Sequence, residues 1–410
     1  MFTIEEIIKL VPDSRIEGPV ARGFTSISTD SRKTGPGQLF IPIKGVKYDG
    51  YKFIPEALKR GASALFVNNG LKALQILATY HRDKFKIPFV GVTGSSGKTT
   101  TKDMLASILA QEKQVLKNEG NFNNEIGVPL TLLNLTNKHQ VAVIEMGMRG
   151  FGEIRELAEM VRPKIAIVTN IGESHLAHLK TKKNIARAKA EIFDFLRRTD
   201  YAVINQDDEY FEHLKERART SGAKVITFGV LERSDVGTKE LLGIDLPVPG
   251  EHNIYNALAA IAAARILKIK RSSIVKGLST VPLSSRRMHV FNYPDRTKII
   301  DDTYNANPQS MAAALKTIGG MSGRKIAVLG SMLELGRRTN TAHRQALALA
   351  RKQKVDHIFT FGDYWPKSAN HYNDKTKLIK MLKKLIKPRD IILIKGSRGM
   401  KMEDVVEALN

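Results

Sequence analysis

Cysteine is absent from this chain of 410 residues, and tryptophan occurs once. Without thiols there is no disulfide, no thiolate nucleophile and no cysteine-held metal. Long apolar runs are missing as well: Ala257 to Ala264, the longest, is far too short to cross a bilayer. Met1 to Leu10 carries Glu5 and Glu6 and no apolar core, so it does not read as a signal peptide. A cytoplasmic protein is the expectation. Acidic residues are scarce, with 41 Asp and Glu against 65 Lys and Arg and a net charge of +24. Phosphate neutralisation on a nucleic acid, steering of an acidic small molecule or a lysine-rich solvated surface would each account for that excess. The densest basic stretch, Lys375 to Arg389, sets its lysines between Leu378, Ile379, Met381, Leu382, Leu385 and Ile386. That spacing predicts an amphipathic helix with a basic outer face. It has no interleaved aromatics and no nucleic-acid motif, so a solvated surface leads and no stable nucleic-acid partner is expected.

What is present reads as α/β. The apolar fraction, 42%, suffices for packed cores, and the length suggests about three domains. Residues 1–86 are mixed, with strands at Leu39–Ile43 and Ala64–Val67 and a helix at Ile54–Arg60 between them. Residues 87–284 alternate short apolar runs with helical patterns, and the runs at Val141–Ile144, Ile165–Val168, Tyr201–Ile204 and Val225–Phe228 read as buried strands. The alternation restarts over 285–410, with strands at Lys298–Ile300, Ile326–Leu329, Ile358–Phe361 and Ile391–Ile394. Helices near 310–318, 341–353, 376–387 and 402–409 separate them. Two consecutive βαβ arrays predict two parallel-sheet domains with ligands at the carboxyl ends of their strands.

Chemistry concentrates first in Phe89-Val90-Gly91-Val92-Thr93-Gly94-Ser95-Ser96-Gly97-Lys98-Thr99-Thr100, where an apolar run meets a Gly/Ser turn and then a helical pattern. Strand, glycine loop and helix start form a polyphosphate cradle: backbone N–H groups and the helix N-terminus supply positive potential, Lys98 meets phosphate and Thr99 reaches a magnesium ion. Gly94, Ser95, Ser96, Gly97 and Thr100 complete the candidate nucleotide loop. The strict phosphate-loop pattern misses by one position, because Val92 stands where its first glycine would be. Other strand ends carry Glu145, Thr169 with Asn170 and then His175, and Asp302. Taken alone, Glu145 reads equally well as a surface carboxylate and His175 as a structural histidine; beside a phosphate loop they suit magnesium and nucleotide.

Four blocks together resemble the Mur ligases, ATP-dependent amide-forming enzymes of bacterial cell-wall synthesis. They are Thr93 to Thr100, Gly120-Asn121-Phe122-Asn123-Asn124-Glu125-Ile126-Gly127-Val128-Pro129, Glu251-His252-Asn253-Ile254-Tyr255-Asn256, and Asp301-Asp302-Thr303-Tyr304-Asn305-Ala306-Asn307-Pro308. Tyr304 to Pro308 and Lys395 to Glu403 are similar to the branch that adds D-alanyl-D-alanine to UDP-N-acetylmuramoyl-tripeptide. Thr29-Asp30-Ser31-Arg32 is similar to the UDP-binding segment of the family. The resemblance implies a UDP-sugar-binding domain over 1–86, a central ATP-binding phosphate-loop domain over 87–284 and a Rossmann-like ligand-binding domain over 285–410.

The resemblance also implies roles. Lys98 neutralises ATP phosphates, Thr99 and Glu145 hold one Mg2+, and His175 holds a second with Lys189 in its carbamylated form. Asn253 and Asn256 meet adenine, although Asn253 alone could be a helix cap. Arg287 and Asp302 reach phosphate and ribose. Ser31, Arg32, Asn121 and Asn124 bind the UDP-peptide, and Asn305 and Asn307 face the dipeptide, although Asn-Ala-Asn-Pro is also a turn sequence. ATP and two Mg2+ ions are the implied cofactors, the substrates are small molecules, and a monomer is expected. Read from spacing alone, Lys189 is a surface lysine. The chain departs from the branch at Ser331, where Asp is usual, at Arg337 and Arg338, where acids are frequent, at Tyr51 in place of a histidine, and in a short span from Phe228 to Glu251 that predicts missing strands. A related ligase acting on another amino acid or peptide, including folate glutamylation or a pseudomurein step, is the alternative. A basic nucleotide-regulated nucleic-acid binder rests on charge alone.

Overall fold

Apolar runs of four to six residues, too short for helices and rich in Val and Ile, become most of the strands of three sheets, and the amphipathic stretches between them cover the sheet faces. The computed structural model describes all residues except 1, 20–22, 46–47, 232, 283–285, 368–369 and 410. The first sheet contains β1 (Arg15–Glu17), β2 (Ser26–Ser28), β3 (Gln38–Phe40) and β4 (Ser63–Phe66) in the order β1-β4-β3-β2. Its β1–β4 pair is antiparallel and the other pairs are parallel.

The second sheet is wholly parallel. It contains β5 (Phe89–Thr93), β6 (Val115–Lys117), β7 (Val141–Glu145), β8 (Ile165–Val168), β9 (Tyr201–Asn205) and β10 (Lys224–Phe228) in the order β10-β9-β8-β5-β7-β6. The chain runs to one side of β5 and then returns to the other, so the switch point lies at the carboxyl end of β5, where the glycine loop begins. One face is covered by the helices Lys98–Leu109 and Glu251–Ile266. The Ala257–Ala264 run is buried on all sides within the second of these, so the longest apolar run of the chain is a core helix. The other face shares one core with the first sheet's helix Gly70–Asp83 through Leu74, Leu77, Val128 and Ile154. Each such buried Leu, Ile or Val contributes about 1.5–3 kcal/mol relative to exposure.

The third sheet contains β11 (His289–Asn292), β12 (Lys298–Asp302), β13 (Lys325–Gly330), β14 (His357–Phe361), β15 (His371–Tyr372) and β16 (Ile391–Lys395) in the order β11-β12-β16-β13-β14-β15. It is parallel except at β11, which pairs antiparallel with β12. The lysine-rich stretch is the helix Lys375–Leu385, with Leu378 and Leu382 buried and Lys377, Lys380, Lys383 and Lys384 exposed. Between Phe228 and Glu251 the described residues hold one isolated bridge, Phe228 to Val236, and a 3-10 turn, Thr238–Leu241. The boundary expected at 284/285 falls outside the described residues.

Candidate active site

The glycine loop connects β5 to the helix Lys98–Leu109, and two of its glycines are required by space. At Gly94 (φ 152°) a Cβ would sit 1.8 Å from Thr169 Oγ1, and at Gly97 (φ 79°) it would sit 2.1 Å from Asn256 Oδ1. Left-handed backbone at close quarters leaves room for no side chain. The residues just after β8 brace the loop: Ser95 N donates to Asn170 O at 2.9 Å, Ser96 N donates to Asn170 Oδ1 at 3.0 Å, and Thr169 Oγ1 donates to Ser96 O at 2.6 Å. The N–H groups of the first helical turn, Lys98 to Thr100, have no acceptor within the helix and are available to an anion. Lys98 Nζ folds back onto Gly94 O at 2.9 Å. Burial lowers its pKa, with the nearby Arg287 charge acting in the same direction and Glu145 opposing.

Glu145, the last residue of β7, is 2% exposed. Thr99 Oγ1 donates to its Oε2 at 2.7 Å and Asn123 Nδ2 donates to its Oε1 at 2.7 Å. Asn123 was not singled out from the sequence; of its neighbours in Gly120 to Pro129, Asn121 lines the cleft, and Asn124 also does so while its Oδ1 accepts from Gly127 N at 2.9 Å. His175 follows β8 in a left-handed conformation (φ 63°). Burial, then the charges of Lys189 and Lys98, lower its pKa to about 3, so the imidazole is neutral. Its buried Nδ1 makes no hydrogen bond; the nearest acid oxygen, Glu334 Oε2, stands 3.4 Å away without hydrogen-bond geometry.

Lys189 is 1% exposed in the helix Lys182–Ala190 and, among the described residues, makes no hydrogen bond or ion pair. Desolvation and then the Lys98 charge push its pKa well below that of a free lysine. It is a buried lysine rather than the surface one that spacing suggested. It stands near Lys98 and His175 but does not line the cleft.

The third sheet closes the cleft from above. β12 and β16 are paired so that Asp302 is level with Lys395, and Lys395 Nζ, 2% exposed, donates to Asp302 Oδ2 at 2.5 Å and to Asn305 O at 3.0 Å. This partner of Asp302 was not legible in the sequence because 93 residues separate the two. Arg287 stacks 3.8 Å above the Tyr304 ring and faces the cleft. Asn305 also faces it, with its Oδ1 accepting from Ala306 N at 2.8 Å. Asn307 is the N-cap of the helix Pro308–Gly319, accepting from Ser310 N at 2.8 Å. Its Nδ2 donates across the cleft to Ser174 Oγ at 2.9 Å and Ser96 Oγ at 3.3 Å. Both polar atoms of Asn307 are thus engaged within the protein, and the turn reading of this segment accounts for them.

Asn253 and Asn256 are buried inside the helix Glu251–Ile266, whose N-cap is Gly250, so Asn253 does not cap it. Asn256 Nδ2 donates to Asn253 Oδ1 at 3.0 Å, and Asn256 Oδ1 accepts from Thr101 at 3.3 Å and packs on Gly97. The pair steadies the loop as well as facing the cavity. That cavity measures about 1150 Å³ and lies between the carboxyl ends of the second and third sheets. Ser31 and Arg32 lie elsewhere, in the first unit, where Ser31 Oγ donates to Glu56 Oε2 at 2.7 Å and Arg32 pairs with Asp30. Ser331, at the end of β13, is buried and ties that strand to β14 through Phe361 O. Tyr51 donates its hydroxyl to Val67 O.

The family models for the Mur ligase family catalytic domain, the Mur ligase middle domain and the Mur ligase glutamate ligase domain match residues 23–111, 92–264 and 286–398. Among characterised relatives, the UDP-N-acetylmuramoyl-tripeptide–D-alanyl-D-alanine ligase of Bacillus subtilis is 35% identical over 99% of this chain and 97% of its own length. Among solved structures, MurF from Acinetobacter baumannii superposes with a TM-score of 0.91 at 30% identity, covering 100% of this chain and 98% of that one. MurF from Thermotoga maritima in complex with ADP gives 0.83 at 27% identity, covering 93% and 96%. With all three units matched in order and a full-length relative at this identity, the chain belongs to the Mur ligase family.

Proposed function

We propose that this protein is an ATP-dependent ligase that joins D-alanyl-D-alanine to UDP-N-acetylmuramoyl-tripeptide, a step in peptidoglycan precursor synthesis. The observation that carries the reading is the full-length match to relatives of that activity together with a cleft in which a phosphate loop faces Asp302, Lys395 and Arg287. In this reading residues 1–86, with Ser31 and Arg32, take the UDP end, residues 87–284 take ATP, and residues 285–410 bring the dipeptide.

The reaction needs two transfers. The peptide carboxylate oxygen attacks the γ-phosphorus of ATP in line, the bond to the β–γ bridging oxygen breaks, and ADP leaves with an acyl phosphate in place. The dipeptide amine then attacks the acyl carbon, and the tetrahedral intermediate expels phosphate while the nitrogen loses a proton. This chain supplies positioning and charge. Lys98 leaves Gly94 O and turns to the β- and γ-phosphates, while the amides of Lys98 to Thr100 hold their oxygens. Asn256 and Asn253 keep the loop in place beside adenine, and Arg287 covers the phosphates from the third unit. Asp302, held by Lys395, accepts from the ribose.

The residues present fit magnesium. The Thr99 hydroxyl and the buried Glu145 carboxylate, side by side at the end of the phosphate loop, are hard oxygen donors of the kind that ion takes together with phosphate and water. Thr99 and Glu145 would hold one ion. The neutral His175 and Lys189 would hold the second, once the Lys189 amine has added to CO2 and lost a proton to become an anionic carbamate. A lysine buried without a counter-ion is uncharged far more readily than a free one, and only the neutral amine can add to CO2. Bound magnesium supplies neutralisation of the phosphate charge. Mass spectrometry of a mixture of the chain, ATP, UDP-N-acetylmuramoyl-tripeptide and D-alanyl-D-alanine should show the substrate mass plus dipeptide minus water. ATP hydrolysis with no such product would remove the ligase reading.

A further inference from the structure

The segment Gly330-Ser331-Met332-Leu333-Glu334-Leu335-Gly336, which follows β13, has no role in the reaction described above. It docks on the residues around His175, which belong to the unit of the second sheet. Arg338, just after it, forms an ion pair with Glu173. Ala177 N donates to Glu334 O at 3.4 Å. Gly336, at φ 56°, also faces this stretch, where a Cβ would be in van der Waals contact with Ala177. At the centre of this contact two non-glycine residues in the left-handed conformation face one another, His175 at φ 63° and Glu334 at φ 64°. Such backbone is costly for a residue with a Cβ and persists where the surrounding structure demands it. The outcome is that His175 Nδ1, buried and without a hydrogen bond, has the Glu334 carboxylate as its nearest acid, at 3.4 Å.

We infer that Glu334 is a positioning residue for His175, delivered by the third unit when the cleft closes. A neutral imidazole carries one N–H, and the group bonded to it decides which nitrogen keeps the lone pair. A carboxylate accepting from Nδ1–H leaves the Nε2 lone pair free to act as a ligand and fixes the ring plane. Carboxylates set behind a ligating histidine act in this manner generally. At 3.4 Å the two groups lack hydrogen-bond alignment here, as is frequent for functional hydrogen bonds before substrate is bound. Because Glu334 belongs to a different unit from His175, the histidine would be fully oriented only in the closed enzyme. Closure and readiness of the site are thereby linked.

The inference rests on the proposed role of His175, and three variants separate the two. Glu334→Ala, Glu334→Gln and His175→Ala would be compared with the wild-type chain, with thermal melting as the check on folding. Three quantities are read: turnover, Mn2+ affinity in the presence of ATP by electron paramagnetic resonance, and the histidine tautomer from 15N-edited spectra of ring-labelled protein. Glu334→Ala should lower turnover and Mn2+ affinity by roughly 10- to 100-fold. The His175 signal, assigned by its disappearance in His175→Ala, should pass from a fixed Nδ1–H form to a tautomer mixture. Glu334→Gln keeps an acceptor oxygen and should recover part of the loss in all three. A Glu334→Ala protein with an unchanged tautomer and unchanged Mn2+ affinity would overturn the inference even if turnover fell. If His175→Ala itself kept full turnover and Mn2+ affinity, the role of His175 would fall and Glu334 with it.

Discussion

At the scale of single residues, the account depends on two lysines with different neighbours. Lys98 rests on Gly94 O and is set at the start of a helix whose free amides point into the cleft. Its removal takes a positive charge from the oxygens that gain negative charge during transfer. Lys98→Ala should fold normally and lose about 10³-fold or more in turnover; a variant keeping a tenth of wild-type phosphate release would contradict its assignment. Lys189 is buried with no acidic partner, and its neighbours Lys98 and His175 gain nothing from another cation. Carbamylation converts that unfavourable cation into an anion. Lys189→Ala should therefore be almost inactive and insensitive to bicarbonate, whereas the wild-type chain depleted of CO2 should regain activity when bicarbonate is restored. Gly94, Gly97 and Lys98 were legible in the sequence because strand, loop and helix start are contiguous, and Glu145, 46 positions from Thr99, was legible only in combination with that loop. Asn123, Lys395 and Glu334 were not, because each acts on a partner brought near by sheet pairing or by docking of one unit on another.

At the scale of elements, the helix Pro308–Gly319 links stability to the cleft. Asn307 caps it through Oδ1 and reaches Ser96 and Ser174 through Nδ2. These functions separate by substitution. Asn307→Asp keeps the cap oxygen and loses the donor, so its melting temperature should hardly move, while turnover should fall about 5- to 10-fold for the loss of a bridging hydrogen bond. Asn307→Ala loses both and should also cost about 1 kcal/mol of stability. Equal stability losses in the two variants would show that the amide donor, rather than the cap, holds this helix. The elements themselves were largely readable. β7, β8, β9, β10, β13, β14 and β16 match expected runs to within a residue or so at each end, because Val- and Ile-rich runs between amphipathic helices leave few alternatives. The order of strands was not readable, nor were β1, β2, β6 and β15, whose two or three residues carry too little pattern. The antiparallel β11 was hidden for the same reason that edge strands generally are: its partly exposed residues mix His, Val, Phe and Asn.

At the scale of the whole molecule, burial of histidine sets an acid limit on folding. His81, His213, His252 and His343 are all shifted down by desolvation, and His175 to about 3. A folded-state pKa below the unfolded value means that the unfolded chain binds more protons in between. Stability contributed by the neutral rings is therefore complete above about pH 6.5 and is lost as pH falls toward the folded values. Desolvation shifts Asp208, Asp301 and Glu191 up, so these acids act in the opposite sense as pH rises out of the ordinary carboxylate range. The melting temperature should thus fall between pH 7.5 and 5.5. His343, which accepts from Met332 N at 2.9 Å through Nε2 while Nδ1 contacts Thr339 O, has no room for a second proton. His343→Gln should flatten the slope over that range, and an unchanged slope would remove His343 from the explanation. Of the cations behind the +24 charge, Lys98, Arg149, Arg287, Lys316 and Lys395 line the cleft, whereas Lys377, Lys380, Lys383 and Lys384 of the helix Lys375–Leu385 face solvent.

The central claim, that this cleft activates a peptide carboxylate by phosphorylation and passes it to a dipeptide amine, has a direct measurement. UDP-N-acetylmuramoyl-tripeptide labelled with 18O in its terminal carboxylate would be turned over with ATP and either D-alanyl-D-alanine or a single amino acid, and the released phosphate examined by mass spectrometry. Each phosphate should carry one 18O from the carboxylate, and phosphate should accumulate rapidly with the dipeptide and hardly at all with D-alanine or L-alanine. Phosphate whose added oxygen comes from water, or release that proceeds equally well with a single amino acid, would contradict the mechanism in the first case and the dipeptide assignment in the second.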